Sequence, residues 1–450
     1  MDAQQSTRQV SWARRAGVSL SSHSPGCHGL VWWAGVGSLL LGLATWGGPP
    51  ARGDDWPQFL GPNRTGISQE TGLISVWPTE GLPELWRVPG GVGMSGVSVV
   101  GDRAVTLVQG EDRQWALCLA VASGKTLWKT ELAPEYRNAM GDGPRGAPTI
   151  VDGVAYVYTG EGVLLALNLK DGKVAWRKAL VEELQGAVAD YGMACSPLVV
   201  GDNVVVTVGA PTATVVAVSR KTGEVAWQAG EEFGAGYSSP ALRRVGGREQ
   251  LLVFHGGGAM GLDPANGGLL WSFPFETDFS CNIATPLAVS NGVLLSAGEN
   301  HGSVLLDLKP RGKGFEPTPR WSSLGNKSTL RNEWQTSILL GDVLFGFDNV
   351  GNAGPVTHLT CVDAQTGTRK WQQLRFGKGN LIAADGKLFC STLTGELVVV
   401  AANPAEFQEL GRMSVVGKTR QAPSLAGGRL FLRDDREIVC LDARAPAKTK

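Results

Sequence analysis

The sequence predicts an all-β protein, an eight-bladed β-propeller with four-stranded blades, and three observations support this. The pattern Gly-x-x-x-Trp recurs about every 50 residues, a period typical of propeller blades. Glycine supplies 62 of 450 residues, about twice its usual share, which indicates many tight turns. Helical periodicity is nearly absent, and apolar residues fall into short runs between turn residues. The pattern ends at Trp128, Trp176, Trp227, Trp271 and Trp371, with degenerate copies near Trp321 (after an insertion from Pro310) and Leu410.

Each repeat shows four strands in a fixed order. Residues 196–210 contain two short apolar runs joined by Gly201-Asp202-Asn203, a hairpin turn signal. A third run follows, and a tight turn at Gly223 separates it from a fourth run that ends at Trp227. The same order recurs at 147–176, so one repeat corresponds to one four-stranded blade.

The Gly-x-x-x-Trp pattern has a physical reason. The turn between the third and fourth strands needs a residue that tolerates positive φ, which favours glycine. The indole that follows is expected to lie against the neighbouring blade, where its N–H can find a carbonyl. We predict this docking role for seven tryptophans, with ligand stacking as the alternative role: Trp86, Trp128, Trp176, Trp227, Trp271, Trp321 and Trp371.

Counting strands predicts how the ring closes. The chain holds eight candidate third strands but only seven fourth strands that follow them, whereas Leu85–Val88 is a strand with no third strand before it. We therefore predict that Leu85–Val88 is the outer strand of the last blade, 421–442, which removes an open sheet edge. The propeller then spans 82–445, with a disordered tail at 446–450.

The N-terminus reads as a targeting segment. Arg8, Arg14 and Arg15 precede the uncharged apolar run 30–46, and small residues and prolines follow it. This order is typical of a secretory signal peptide, here 1–53, and predicts a periplasmic or secreted protein with no membrane span after cleavage. An uncleaved anchor is the alternative, because the run reaches the lower limit of a membrane span. The segment 54–81 is expected to be an extended leader that runs over the propeller surface, pinned by Trp56 and Phe59.

Charge and cysteine content exclude several functions. Lys and Arg together number 41, as do Asp and Glu, so the chain lacks the basic excess of a nucleic-acid-binding protein. Beyond the signal peptide the six cysteines are scattered, which is unlike a disulfide framework. The histidines show no metal-ligand spacing, and no nucleophile motif is present. The residues themselves therefore indicate neither a catalytic residue nor a metal site.

Two motifs resemble a known family. The pattern Ala166-x-Asn168-x-x-x-Gly172-x-x-x-Trp176 resembles the tryptophan-docking motif of the PQQ-like (pyrroloquinoline quinone repeat, quinoprotein-type, BamB-like) β-propellers. The segment 54–64, Asp-Asp-Trp-Pro-Gln-Phe-Leu-Gly-Pro-Asn-Arg, resembles the leader of secreted bacterial members. The resemblance covers about 86–443 and implies the propeller fold.

The function implied by the resemblance is divided, because the family includes both dehydrogenases and assembly scaffolds. The dehydrogenases hold PQQ and calcium in the central funnel, often beneath a disulfide between adjacent cysteines, and this sequence has no adjacent cysteine pair. We therefore expect a non-catalytic binding or scaffold module with no cofactor, a monomer that binds another protein or a small molecule at the funnel. The alternative is a quinoprotein oxidoreductase, a PQQ-dependent dehydrogenase that uses calcium.

The loops that lead into the innermost strands should surround the funnel. Most of them end in a small residue followed by proline, as at Ser196-Pro197, but blade six carries the large residues 331–335 instead. Such a departure is where function is expected, and the favoured alternative is that Trp334 plugs the channel while the polar residues solvate its rim. Arginine and lysine from four blades could form a cationic mouth or be scattered rim charges. The funnel candidates are Arg145, Tyr237, Asn282, Arg331, Asn332, Glu333, Trp334, Gln335, Lys378, Asn380 and Arg420.

Overall fold

In the computed structural model, 55–231, 233–351 and 356–445 are described, and all of them belong to one compact unit of the chain. These residues form eight four-stranded antiparallel sheets arranged as the blades of a propeller. The predicted signal peptide, Asp54 and the tail 446–450 lie outside the described residues. None of the described helices is long and apolar enough to cross a membrane.

The first strand, β1, spans Glu84–Pro89. Blade 1 contains β2 (Ser98–Val100), β3 (Arg103–Gly110), β4 (Arg113–Ala120) and β5 (Thr126–Pro134). Blade 2 contains β6 (Thr149–Val151), β7 (Val154–Tyr158), β8 (Val163–Asn168) and β9 (Val174–Ala179). Blade 3 contains β10 (Leu198–Val200), β11 (Asn203–Ala210), β12 (Ala213–Ser219) and β13 (Val225–Ala229). Blade 4 contains β14 (Ala241–Val245), β15 (Arg248–His255), β16 (Gly258–Leu262) and β17 (Leu269–Pro274).

Blade 5 contains β18 (Leu287–Val289), β19 (Gly292–Ala297), β20 (Gly302–Arg311) and β21 (Gly314–Leu324). Blade 6 contains β22 (Ile338–Leu340), β23 (Val343–Val350), β24 (Val356–Asp363) and β25 (Arg369–Gln373). Blade 7 contains β26 (Gly379–Ala384), β27 (Lys387–Thr392), β28 (Glu396–Ala401) and β29 (Glu409–Ser414). Blade 8 contains β30 (Ser424–Ala426), β31 (Arg429–Arg433) and β32 (Glu437–Asp442). One α-helical turn, α1 (Leu180–Glu183), and two 3-10 turns, Asp278–Ser280 and Gly325–Lys327, lie between strands.

The predicted ring closure is confirmed. Strand β1 pairs antiparallel with β32, and Trp86 stands opposite Cys440, so the last sheet has the order β1-β32-β31-β30. The N-terminal strand thus supplies the outer strand of the C-terminal blade. Opening the ring would expose backbone N–H and C=O groups along both edges of this junction.

Indole rings join neighbouring blades. The Trp128 ring lies against Gly172, the turn glycine of the next blade, so closely that a Cβ there would sit 2.7 Å from the ring. Its Nε1 donates to the Leu169 carbonyl at 2.9 Å. Trp86, Trp176, Trp321 and Trp371 likewise donate to carbonyls of the next blade. Glycine is therefore favoured at this turn for two reasons: it adopts a positive φ, and it has no Cβ that would clash with the ring.

Trp271 departs from this arrangement, and it faces a blade whose turn glycine, Gly312, lies nine residues before Trp321 and not four. The residues from Pro310 onward are an extension of the β20–β21 hairpin, in which Pro310 pairs with Phe315, and not a separate insertion. Trp271 instead donates to Gln250 Oε1 at 2.7 Å, within its own blade.

Blade 7 has no tryptophan of its own at the docking position. Gly411 stands opposite Val399, directly before a bulge, in the register that Trp227 occupies opposite Ala217 in blade 3. The ring of Trp77, from the leader, covers Gly411 so closely that a Cβ there would overlap it. The leader thus supplies the aromatic ring that the repeat lacks.

The leader also closes one end of the central channel. Trp56 forms a bridge with Val99 on the innermost strand of blade 1, and Ile67 forms one with Ala383 in blade 7. Between them Arg64 is 1% exposed and donates to the Ser196 and Pro240 carbonyls of blades 3 and 4. The leader therefore passes across the innermost strands of the ring and does more than cover its outer surface.

Candidate functional site

The part of the channel that the leader leaves open is a cavity of about 180 Å³ along the propeller axis. Its floor is formed by the leader residues Trp56, Phe59 and Leu60. Its mouth is formed by loops that lead into the innermost strands and carry Met94, Met140, Arg145, Tyr191, Tyr237, Trp334, Asn380 and Arg420. The cavity is thus a pocket with one closed end.

The cavity wall is built from the small residues that precede the strand-opening prolines. Ser196 Oγ accepts a hydrogen bond from Ala147 N, and Ser239 Oγ accepts one from Ser196 N, each at 2.9 Å. These bonds link blades 2, 3 and 4 in series, so the wall is held by hydroxyl groups of adjacent blades. Small side chains at these positions leave the axis open.

Arg145 and Arg420 reach the mouth from opposite ends of the chain and bind neighbouring carbonyls. Arg145 Nη2 donates to Gly141 O at 2.7 Å, and Arg420 Nη1 donates to Met140 O. Burial lowers the pKa of Arg145, and the positive charge of Arg420 lowers it further. Burial likewise lowers the pKa of Arg420. Within the described residues neither guanidinium forms an ion pair, although the charge of Asp142 acts on Arg145 and the charges of Asp435 and Glu333 act on Arg420.

Trp334 forms one side of the mouth and carries two cations. Its ring centroid lies 5.2 Å from Arg420 Cζ and 4.7 Å from Lys378 Nζ, within the range of cation–π contacts. Lys378 Nζ also pairs with a Glu333 carboxylate oxygen at 2.7 Å. Burial raises the pKa of Glu333, although its ion pair with Lys378 opposes this shift. Asn380 donates to the Arg420 carbonyl at 2.8 Å and fixes that loop.

Two stacked tyrosines form the opposite side of the mouth. The Tyr191 and Tyr237 ring centroids are 5.7 Å apart, and Tyr237 Oη accepts from Tyr191 N at 3.2 Å. Burial raises the pKa of Tyr237 above its usual value, so its hydroxyl stays protonated at neutral pH. Phe279 extends this aromatic side outward, 65% exposed and with a φ of 54°.

The remaining sequence candidates lie behind the cavity wall. Asn282 is fully buried and donates to the Phe275 carbonyl at 3.0 Å. Arg331 is 3% exposed and binds Asp348 with two hydrogen bonds of 2.6 and 2.9 Å, inside blade 6. Asn332 and Gln335 are buried beside them. The structure thus gathers Arg145, Tyr237, Glu333, Trp334, Lys378, Asn380 and Arg420 at the mouth, and it places Asn282, Arg331, Asn332 and Gln335 in the scaffold.

Sequence reasoning missed several residues of the site. Tyr191 and Met140 lie in loops that belong to no repeat, so the blade pattern did not mark them. Phe59 and Leu60 belong to the leader, which we expected on the surface. The available signal was an aromatic residue five positions before the Ser196-Pro197 step, which could have identified Tyr191.

The lining does not suit a calcium-bound quinone. Calcium takes six to eight oxygen ligands, from carboxylates, backbone and amide carbonyls and water, and protein calcium sites include carboxylates that balance its charge. The described residues that line the cavity include no Asp or Glu. Across the described part of the chain, no group of three or more His, Cys, Asp or Glu side chains could hold a metal ion. The described lining therefore offers no carboxylate, either as a calcium ligand or as a base, and its amide oxygens are those of Gln58, Asn380 and Gln421.

Comparisons with known proteins find relatives of both kinds. A family described as outer membrane protein assembly factor BamB matches residues 84–348 and 355–446. Among solved structures, quinohemoprotein alcohol dehydrogenase from Comamonas testosteroni is similar with a TM-score of 0.63 and 14% identity, covering 89% of this chain and 82% of its own. BamB from Moraxella catarrhalis is similar with a TM-score of 0.57 and 15% identity, covering 80% and 99%.

A computationally designed protein, Ika8, is also similar, with a TM-score of 0.56 and 10% identity over 80% of this chain and 99% of its own. At such identities the structural likeness shows the shared fold alone. No curated protein matches the sequence.

Proposed function

The chain belongs to the PQQ-like β-propeller family described as outer membrane protein assembly factor BamB, and from this premise we propose that it is a non-catalytic binding or scaffold module. It holds a small molecule or a segment of another protein in the mouth of its central cavity. It acts as a monomer outside the cytoplasm, after removal of the segment 1–53.

One observation carries this proposal: the pocket has a floor made by the leader, an aromatic mouth and two unpaired arginines, and its lining contains no carboxylate among the described residues. Pockets of this kind, mostly apolar with a few polar groups in fixed positions, are typical of ligand sites. General acid–base chemistry by a carboxylate would need that carboxylate to face the pocket. Glu333, a carboxylate beside the mouth, is already paired with Lys378.

The mouth is rigid, and this favours binding without rearrangement. Arg145 donates to the carbonyls of Gly141, Gly143 and Tyr191, so its position is fixed before any ligand arrives. Arg420 is held by the Met140 carbonyl and by the Trp334 ring. Pre-organised groups lose little conformational entropy when a ligand binds.

The alternative, a quinoprotein oxidoreductase, is tested directly. The mature protein is incubated with PQQ and Ca²⁺, passed through a gel-filtration column, and assayed with an artificial electron acceptor and a panel of alcohols and sugars. We expect no calcium-dependent retention of PQQ and no dye reduction. Stoichiometric retention together with alcohol or sugar oxidation would overturn the proposal.

Localisation and assembly state are tested separately. Fractionation of the native host with mass spectrometry of the mature N-terminus should find the protein outside the cytoplasm, beginning near residue 54. A chain that keeps its first 53 residues would indicate the anchor instead. Light scattering of the purified mature protein should give the mass of one chain.

A further inference from the structure

The cavity mouth contains an arginine edge that has no partner. Arg420 uses Nη1 for the Met140 carbonyl, whereas its Nε is buried with no hydrogen-bond partner in the described residues, and its Nη2 donates to none of them. Nε and Nη2 lie on the same edge of the guanidinium, the edge that can pair with a carboxylate, and Nε is covered by protein atoms. A buried donor without a partner is costly, so a bound acceptor would stabilise this site.

A second positive charge stands beside that edge. Arg145 and Arg420 bind the carbonyls of Gly141 and Met140, two consecutive residues, which brings the guanidiniums together. The charges of Asp142, Asp435 and Glu333 offset part of their mutual repulsion, but none of these carboxylates forms an ion pair with either guanidinium. An anion between them would remove this repulsion, whereas a neutral ligand would not.

The surroundings of the pair are apolar and aromatic. Trp334 lies against Arg420, and the stacked Tyr191 and Tyr237 face the same cavity. The floor below carries Phe59 from the leader. A ligand that placed an anionic group at the arginines would therefore put its body among aromatic rings.

We propose, resting on the binding function above, that Arg145 and Arg420 hold the carboxylate of an aromatic acid whose ring occupies the cavity between Trp334 and the tyrosines. The ligand chemistry is a carboxylate close to an aromatic ring, joined by one or two carbons. A free aromatic acid offers this chemistry, and so does the C-terminal aromatic residue of a partner chain. Both present the same two groups to the same site.

The test uses the mature protein with phenylacetate, its neutral isostere phenylacetamide, and a pentapeptide that ends in phenylalanine with a free or amidated C-terminus. Binding is measured by ligand-observed NMR and calorimetry. For phenylacetate we expect a dissociation constant of about 1 mM or below, consistent with so small a ligand. Phenylacetamide should bind at least tenfold more weakly. If the peptide binds and phenylacetate does not, the source is a chain terminus, and the reverse indicates a free acid.

The variants assign the effect to the arginine edge. Arg420→Gln should weaken phenylacetate at least tenfold and leave phenylacetamide unchanged, and Arg420→Lys should fall between because it keeps the charge but loses the paired donors. Arg412→Gln is the matched control, since Arg412, on the outer strand of blade 7, pairs with Glu409 and Glu396 away from the cavity. Thermal melting of each variant shows that it is folded.

Three results would overturn this inference: equal binding of acid and amide, unchanged acid binding by Arg420→Gln, or no binding of any probe at 10 mM, roughly tenfold above the expected constant. None of them bears on catalysis. The proposed function fails on a different result, calcium-dependent PQQ retention with substrate oxidation, so the two failures are distinguishable.

Discussion

The contact between Trp77 and Gly411 predicts that Gly411→Ala destabilises the protein when Trp77 is present and stabilises it when Trp77 is replaced by alanine. A Cβ at Gly411 would overlap the Trp77 ring, so Gly411→Ala should destabilise the wild-type protein by about 1–3 kcal/mol, as overpacking does. The φ of Gly411 is not in the left-handed region, so the backbone itself accepts alanine. In a Trp77→Ala background the obstruction is gone, and the same substitution should stabilise by about 0.5 kcal/mol, the usual gain over glycine in a strand.

The size of the Trp77 effect follows from its burial. Full burial makes a Trp→Ala change cost about 3–5 kcal/mol, and Trp77 is half-buried, so we expect about 2 kcal/mol. The coupling energy of the Trp77/Gly411 cycle is the difference between the two Gly411→Ala effects, about 1.5–3.5 kcal/mol, well above the additivity error of distant sites.

Equilibrium denaturation by urea, followed by far-UV circular dichroism, measures all four proteins of the cycle. Gly110→Ala is the matched control, because Gly110 also lacks a positive φ and a Cβ there would meet nothing. Its effect should be the same with and without Trp77. If Gly411→Ala has the same sign and size in both backgrounds, the leader does not replace the missing blade tryptophan.

Three further predictions follow from the same structure. Trp176→Ala should lower the free energy of unfolding by about 3 kcal/mol, because its ring covers the turn glycine of the next blade, whereas Trp334→Ala should lower it by less than about 1 kcal/mol. Equal shifts of the urea midpoint would contradict this difference. Burial lowers the pKa of His255 to about 4. The free energy of unfolding should therefore fall by about 2–3 kcal/mol as the pH falls from 6.5 to 4, and it should fall less in His255→Asn, as measured by urea denaturation at each pH. Arg64→Met should lower the stability of the protein and loosen the leader at the floor of the channel, so that limited proteolysis cleaves the leader faster. An unchanged rate of cleavage in the leader would count against the role of Arg64 in closing the channel.

The sign of the His255 prediction follows from its lowered pKa. The unfolded side chain has a pKa near 6.5, whereas burial keeps the imidazole neutral in the folded state. Below pH 6.5 the unfolded state therefore binds more protons than the folded state does. The contribution of His255 is therefore complete above that pH and is lost as the pH falls towards 4.

The sequence predicts the ring because the information that defines a blade is local. Each turn glycine and docking tryptophan lie a few residues apart, and the closing strand follows from counting strands. Contacts between residues far apart in the chain produce no repeated pattern in the sequence. The pairing of Trp77 with Gly411 joins residues far apart in the chain, and Gly411 looked only like a degenerate repeat until the register of β29 was known.

The functional residues divide in the same way. The residues 331–335 were singled out because they break the blade pattern, yet only Trp334 of them lines the cavity. Arg331 instead neutralises the buried Asp348, which shows that a local departure can also meet the needs of a blade core. Sequence can identify which loops meet at the axis, but which side chains turn inward depends on their partners.

The leader determines whether the axis of this propeller is a pore or a pocket. Without a floor, the small residues along the innermost strands would leave a passage lined by Ser196, Ser239 and Ala147, which offers a ligand little apolar contact. With Trp56 and Phe59 beneath, the same passage acquires an apolar end opposite the arginine pair. Because Arg64 anchors this floor to the carbonyls of blades 3 and 4, the stability of the ring and the shape of the site depend on one segment. A binding function at the mouth therefore requires the leader as much as it requires the mouth loops.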